Sequence, residues 1–299
     1  MTNSKNSDTG FYVQGTGFAP PSLAPGLYVV STPIGNLRDI TLRALETLAA
    51  VDLVLCEDTR MSARLLDHFG IKTRRAALHE HNEHARIESI LQRLANGQSI
   101  ALISDAGTPL LSDPGFPLVR AVGVAGHEIF AVPGASALLS ALAIAGLPTD
   151  SFSFFGFLPT KSKARKNMLS SLSAHTQTLV FYESPRRLAA TIAAMSEIFG
   201  PEREAAVAME LTKKFERVSR GKLGELAEKF SEGETRGEAV ILVAGASEVV
   251  LDEHEWQSVL ENALKQMPLR AAVDEVTSQF PIKRKQVYNA ALAIKQEKS

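Results

Sequence analysis

Hydrophobic positions fall into two rhythms along this chain. Short unbroken apolar runs at LYVVS (27–31), DLVLC (52–56), SIALIS (99–104) and EIFAV (128–132) predict buried strands. Between them, apolar residues recur at helical spacing over roughly 39–50, 59–69, 83–96, 115–125 and 135–145. Gly70, Gly97 and Gly126 stand where helices commonly end, because glycine accepts the left-handed backbone needed there. Strand–helix alternation predicts a mostly parallel sheet covered on both faces.

Pro148 to Ser151 reads as a linker, and a second α/β set follows it. TLVFY (178–182), AAVAMEL (205–211) and EAVILVAG (238–245) predict strands. A helix over 186–199 ends at Gly200-Pro201, and FERVSRGKL (215–223) has the shape of an exposed strand and turn. Beyond 252 the pattern becomes wholly helical. Trp256, Val259, Leu260 and Ala263 mark one helix over 253–266. Leu269, Ala272, Val273, Val276 and Phe280 mark a second, behind Pro268. Val287, Ala291 and Ile294 mark a third, with Lys283, Arg284 and Lys285 at its start.

The expected organisation is a flexible leader over 1–25, an α/β domain over 26–147, a second over 150–247 and a helix-turn-helix-like extension over 252–299. The leader is expected because small, polar, Gly and Pro residues dominate it. It lacks the basic and apolar regions of a secretory signal.

Composition changes this picture little. The 299 residues are 45% hydrophobic and 22% charged, as in ordinary globular proteins. A lone Cys56 rules out an internal disulfide framework and a cysteine-based zinc site. It reads as a small buried residue ending a strand. A lone thiol and no signal fit a reducing cytoplasm. No run of 18 apolar residues occurs, so no transmembrane span is expected.

Candidate chemistry lies in the loops. Open α/β sheets bind ligands at the carboxyl ends of their strands. Three Gly/Pro turns stand there: Thr32-Pro33-Ile34-Gly35-Asn36, Asp105-Ala106-Gly107-Thr108-Pro109 and Pro133-Gly134-Ala135-Ser136-Ala137. Such turns expose N–H groups and let a ligand approach the backbone. Neither GxGxxG nor GxxxxGK[ST] is present, which disfavours a standard dinucleotide site and a Walker-type triphosphatase.

STPIGNLRDIT, SDAGTPLLSDPG, VPGASA, FYESPRR, ELTKKFE and GEAVILVAG, in this order, resemble the tetrapyrrole methylase superfamily. Within it they are similar to the branch that 2′-O-methylates a cytidine ribose in 16S rRNA of the small ribosomal subunit. The likeness runs from about Gly26 to Gly245, and the helical tail is similar to that branch's extension. Porphyrin-modifying members usually carry a Gly-x-Gly-Pro-Gly-Asp type loop after the first strand. Thr32-Pro33-Ile34-Gly35-Asn36 stands here instead, which argues against a tetrapyrrole substrate.

The resemblance implies two α/β domains with S-adenosylmethionine in the cleft between them, and a homodimer. It assigns Pro33, Ile34, Gly35 and Asn36 to the first cofactor loop. Asp105, Ala106, Gly107 and Thr108 form the loop that meets the methionine moiety, and Ser136 and Ala137 belong to the third. Tyr182, Met209, Ala239, Val240 and Ile241 flank the adenosine. Methyl transfer to a hydroxyl needs positioning and profits from a general base. Glu183, Glu210, Lys213 and His79 are candidates, with Glu183 and Lys213 preferred at presumed strand ends.

The run His79-Glu80-His81-Asn82-Glu83-His84 invites a metal reading. Its spacing is not HExxH, and neighbours in an extended run point to opposite faces. No metal is therefore expected, which leaves a solvated loop or a substrate-facing one. The resemblance favours the latter, with His79 and Asn82 towards the substrate, and gives Arg60 a similar role.

The net charge of −1 excludes only a uniformly basic protein. Residues 159–187 hold Lys161, Lys163, Arg165, Lys166, Arg186 and Arg187 against Glu183. Residues 211–222 hold Lys213, Lys214, Arg217, Arg220 and Lys222 against Glu216. The last 24 residues hold five bases against Glu297. Arg186, Arg187, Lys214 and Lys283 to Lys285 are thus candidate RNA contacts, although the tail could equally be a helical cap. Two rival readings stay open: a small-molecule, tetrapyrrole-like methyltransferase of this fold, and a non-catalytic RNA-binding assembly factor.

Overall fold

The computed structural model describes residues 10–231, 237–246, 253–280 and 282–297. Contacts divide the chain into two units, 1–246 and 247–299.

The first unit begins with β1 (Phe11–Val13) and β2 (Thr16–Phe18), an antiparallel hairpin turned at Gln14 and Gly15. Both turn residues have positive φ, the condition for a two-residue hairpin turn. Within the expected flexible leader, then, 11–18 is ordered. The reason is Phe11, which is buried beside Tyr28, Leu45 and Leu66, stacks on Phe18 at 5.3 Å, and is followed by a Tyr12 N–H donating to the Phe69 carbonyl. A three-residue strand is too short to give a visible periodicity.

Next come β3 (Gly26–Val30), α1 (Leu42–Ala50), β4 (Leu53–Cys56), α2 (Thr59–His68), β5 (Arg75–Ala77), α3 (Glu83–Ala95), β6 (Ser99–Leu102), α4 (Phe116–Val124), β7 (Ile129–Val132) and α5 (Ala137–Ala145). The strands form one parallel sheet in the order β5-β4-β6-β3-β7. Leu45 and Leu48 of α1 and Leu66 of α2 pack on one face. Ile90 and Leu94 of α3 and Leu118 and Val122 of α4 pack on the other. Cys56 is buried at the end of β4. β5 escaped the sequence reading because RAA contains no apolar run.

Five further strands and three helices complete this unit: β8 (Phe152–Phe157), α6 (Ser162–Leu172), β9 (Thr178–Glu183), α7 (Pro185–Phe199), β10 (Glu204–Met209), β11 (Arg217–Lys222), α8 (Leu223–Ser231) and β12 (Ala239–Val243). They order as β11-β10-β12-β9-β8, antiparallel except for β8 beside β9. Alternation along the strands sorts two cores. Phe181, Val207 and Ile241 face α6, α7 and α8. Val180, Ala206, Ala208, Val240 and Leu242 face α5, through Leu138, Ala141, Leu142 and Ala145. So α5, continuous with the first sheet, covers the open face of the second. Its sequence, ALLSALAIA, is apolar nearly all round; Leu138, Ala141, Leu142 and Ala145 are buried against the sheet and Leu139 is exposed.

The second unit contains α9 (Glu253–Gln266), α10 (Leu269–Gln279) and α11 (Arg284–Glu297). Trp256, Leu260, Val273, Val276 and Val287 form its own small core. Among the described residues no helix is long and apolar enough to cross a membrane.

Candidate active site

The neighbours β3 and β6 send their chains in opposite directions. β3 leads to α1 on one face, and β6 leads to α4 on the other. A crevice must open at their carboxyl ends. There Thr32 N–H donates to the Gly107 carbonyl at 2.8 Å and Gly107 N–H returns a bond to Thr32 at 3.0 Å. Ser31 and Thr108 hydroxyls meet at 2.9 Å, and Thr108 also donates to the Ala135 carbonyl. The three sequence-predicted loops are therefore bound to one another. Gly107 has φ +83°, and a Cβ there would sit 3.2 Å from Ile34 Cγ2.

A cavity of about 220 Å³ opens between these loops and the second sheet. Ile34, Asp105, Ala106, Gly107, Thr108 and Ala137 line it from the first sheet's side, with Leu111, Ser112 and Asp113. Phe157, Tyr182, Glu183, Glu210, Leu211, Lys213, Glu238, Ala239 and Val240 line it from the other. Pro33 and Ser136 are buried nearby, and Ser136 caps α5 by accepting from Leu139 N–H. Asn36 accepts from Arg38 N–H and caps the 3-10 turn Leu37–Asp39. Gly35 lies under the Lys213 stem, where a Cβ would sit 2.6 Å from Lys213 Cε. Met209 and Ile241 turn their side chains into the opposite core, so only their backbone faces this side.

The preferred base candidates are differently placed. Glu183 is buried, with one oxygen accepting from Ser184 N–H at 2.7 Å and the other from the Thr191 hydroxyl at 2.7 Å and Arg187 Nη2 at 3.2 Å. Arg187 in turn donates to the Leu158 carbonyl. Glu183 and Arg187 thus tie β9 to the start of α7. Lys213 Nζ holds Glu210 Oε1 at 3.0 Å, and Glu210 and Thr212 are both left-handed, at φ 52° and 64°. Gly237 is required beside them, because a Cβ there would fall 1.9 Å from Glu210 Oε1.

Acidic groups gather at the first sheet's carboxyl edge. Asp105 Oδ1 accepts from Asp58 N–H at 3.2 Å. Burial pushes the Glu57 carboxyl up, and Asp105 adds to this. Burial likewise pushes Asp113 up to about 6, against a bond from Ser104 and with Glu57 and Asp105 adding. Arg60 is exposed and paired with Asp58 at 2.8 Å, and that bond holds Asp58 down to about 2. His79 and Asn82 brace the loop after β5. Asn82 accepts from His79 N–H at 3.0 Å, and its amide lies 3.1 Å from His79 Nε2. Arg186 and Lys214 are exposed, as are Lys283, Arg284 and Lys285 at the start of α11, where Arg284 meets Asp274. Among the described residues no group of three His, Cys, Asp or Glu is placed to hold a metal.

The family model of the Tetrapyrrole (Corrin/Porphyrin) Methylases matches residues 26–227, and that of the RsmI C-terminal HTH domain matches 250–295. The chain belongs to the tetrapyrrole methylases. The "Ribosomal RNA small subunit methyltransferase I" of Mesorhizobium japonicum is 46% identical, over 91% of this chain and 93% of its own. That of Vibrio cholerae is 45% identical, over 91% and 96%. Among solved structures, a uroporphyrin-III C-methyltransferase from Thermus thermophilus, complexed with S-adenyl homocysteine, superposes with a TM-score of 0.52. It is 18% identical and covers 73% of this chain and 97% of its own, which speaks for the fold.

Within this family frame, Leu111, Ser112, Asp113, Phe157, Leu211 and Glu238 are the lining residues that sequence reasoning did not single out. Asp113 stands inside the quoted SDAGTPLLSDPG motif, yet only the folded loop turns it inward. Phe157 ends β8, a strand whose register shifts between Phe154 and Phe157 and which apolar-run reading passed over.

Proposed function

We propose that this chain binds S-adenosylmethionine in the cavity and transfers its methyl group to the 2′-hydroxyl of a cytidine ribose in 16S rRNA. The observation that carries the reading is the cavity's position at the switch between β3 and β6, closed by the second sheet. Its walls suit the donor. Ile34, Ala137, Leu211 and Val240 offer apolar surface for the adenine, Ala239 lines it through its backbone, and the loop at 105–108 offers N–H groups other than that of Gly107 for the methionine carboxylate. Carboxylates at the β4 and β6 ends favour a sulfonium cation nearby. The donor, when bound, supplies an electrophilic methyl group.

In this reading Pro33, Gly35, Asn36 and Ser136 frame the donor loops, and Tyr182 stands over them from the second sheet. Met209 and Ile241 contribute backbone only. Glu183 anchors α7, since both of its oxygens already accept hydrogen bonds, and Lys213 orients the loop after β10 over Gly35. Positioning supplies much of the rate, because the reacting oxygen must lie in line with the breaking bond. Arg60, His79 and Asn82 edge the substrate side. Arg186, Lys214 and the Lys283–Lys285 run serve phosphates. The last three lie at a helix N-terminus, where cations oppose the helix dipole. Lys283 and Lys285 are exposed there, while Arg284 meets Asp274 of α10.

The relatives named for the small subunit's RNA support an rRNA substrate; a small-subunit particle as its context, a cytoplasmic setting and a homodimeric enzyme belong to the same proposal. The deciding experiment maps 2′-O-methyl groups in rRNA from a deletion strain. Loss at one cytidine, restored by incubating its 30S particles with this protein and labelled donor, is expected. Unchanged methylation, or transfer to a porphyrinoid panel and not to 30S, would sink the proposal.

A further inference from the structure

We infer that Asp113 is a catalytic residue, the carboxylate that takes the proton from the attacking hydroxyl; this rests on the methyl-transfer reading above. Five carboxylates line the cavity: Asp105, Asp113, Glu183, Glu210 and Glu238. Glu183 is saturated by Ser184, Thr191 and Arg187. Glu210 is paired with Lys213, and Glu238 lies on the rim with its side chain 82% exposed. Asp105 is exposed and holds the Asp58 N–H. Asp113 is half-buried, and the neutral Ser104 hydroxyl, which donates to the Ala106 and Gly107 carbonyls, acts on its carboxyl. Its charge is felt by the Tyr182 phenol across the cavity. It therefore faces the space between the two sheets.

The loop that carries it is built at a cost. Leu110 and Ser112 are left-handed, at φ 73° and 68°, a conformation that strains non-glycine residues and gathers at functional sites. Two glycines let the loop in. A Cβ on Gly115 would lie 2.8 Å from Leu102 Cδ2, and one on Gly156 would lie 2.7 Å from Ser112 Oγ. Both glycines also hold positive φ, at +127° and +61°, a backbone that side-chain-bearing residues rarely adopt.

The proposed step balances. The hydroxyl oxygen forms a bond to the methyl carbon, and the carbon–sulfur bond breaks with its electron pair passing to sulfur. The hydroxyl proton moves to the Asp113 carboxylate, which becomes a neutral acid and later releases the proton to water. Burial, helped by Glu57 and Asp105, raises this carboxyl to about 6, so it is ionised near neutrality and still basic enough to accept. The ionisable groups facing it are Glu57 and Asp105 from the first sheet, and Tyr182, Glu183, Glu210, Lys213 and Glu238 from the second side.

The test compares the intact protein with D113N and D113E, using 30S particles from a deletion strain. D113N is expected to lower the single-turnover rate about 100-fold or more, in the usual range for a lost general base. It should bind S-adenosylhomocysteine within threefold of the unaltered protein by calorimetry, and it should lose the acid limb near pH 6. D113E should recover part of the rate. Thermal unfolding gives a readout free of turnover. A raised folded-state value stabilises below the unfolded value and is lost as pH rises through about 6. D113N should therefore gain Tm relative to the unaltered protein at pH 8 and not at pH 4. A rate within threefold of the original, a Tm difference flat with pH, or donor-product binding lost in proportion to rate would overturn the assignment. Failure of the unaltered protein to methylate 30S, while it still binds S-adenosylhomocysteine, would instead overturn the rRNA reading and this role with it.

Discussion

The loop after β6 and the strand ends of β9 and β10 face each other across one cavity, but they are held in different ways. The β6 loop is fixed by backbone. It has a two-way bridge from Thr32 to Gly107, left-handed residues at 107, 110, 112 and 115, and hydroxyl contacts at Ser31 and Thr108. The opposite wall is fixed by charge, through Glu183 with Arg187 and Glu210 with Lys213. A backbone-fixed wall does not depend on its carboxylates for its shape, although its bridge occupies the Thr32 and Gly107 N–H groups. The charge-fixed wall commits Glu183 to holding α7 and Glu210 to holding the loop after β10. The difference suggests that the first wall carries the chemistry and the second closes over it.

Breaking the charge-fixed wall should give the largest effect. E183A leaves the Arg187 guanidinium beside a vacated buried carboxylate, and breaking such a pair costs about 3–5 kcal/mol. Urea unfolding should register that loss. Activity lost with full stability would instead make Glu183 a reacting group and reverse the comparison. G107A attacks the first wall. The residue must hold φ +83° with its Cβ against Ile34, so stability should fall by about 1–3 kcal/mol. S-adenosylhomocysteine affinity should fall about tenfold, measured by calorimetry. Unchanged affinity would remove this loop from donor binding.

K213A is a finer probe. Its pair with Glu210 is partly solvated, so unfolding should change by less than about 1 kcal/mol. A larger change would mean that the stem packed over Gly35 matters more than the charge. R60A should have the smallest effect. Asp58 should leave its depressed value of about 2 and titrate closer to 3.8, followed by carboxyl NMR. The lowered value means that this pair's contribution is present above about 3.8 and fades as pH falls towards 2. For so exposed a pair, no measurable shift in unfolding is expected at neutral pH.

Much of this arrangement is legible from residues. The apolar runs at 27–31, 52–56 and 99–104 correspond to strands, and the three Gly/Pro turns do meet at one sheet edge. The hairpin at 11–18, β5 and β8 were not legible, since short or irregular strands carry little periodicity. The helix over 162–172 was read only as charge, although Leu169 and Leu172 bury its inner face.

By itself the sequence determined the two α/β sets, the helical tail and the Gly/Pro turns after the strands, because these follow from local periodicity and turn chemistry. Only the tertiary structure decided which carboxylates are spent and which is spare. Glu183 and Asp113 look equally able to act as bases in a string of letters. One is surrounded by donors from α7, and the other is turned inward by a strained loop with one hydroxyl beside it. Burial and partner number set a carboxylate's proton affinity, and both are properties of the packed chain.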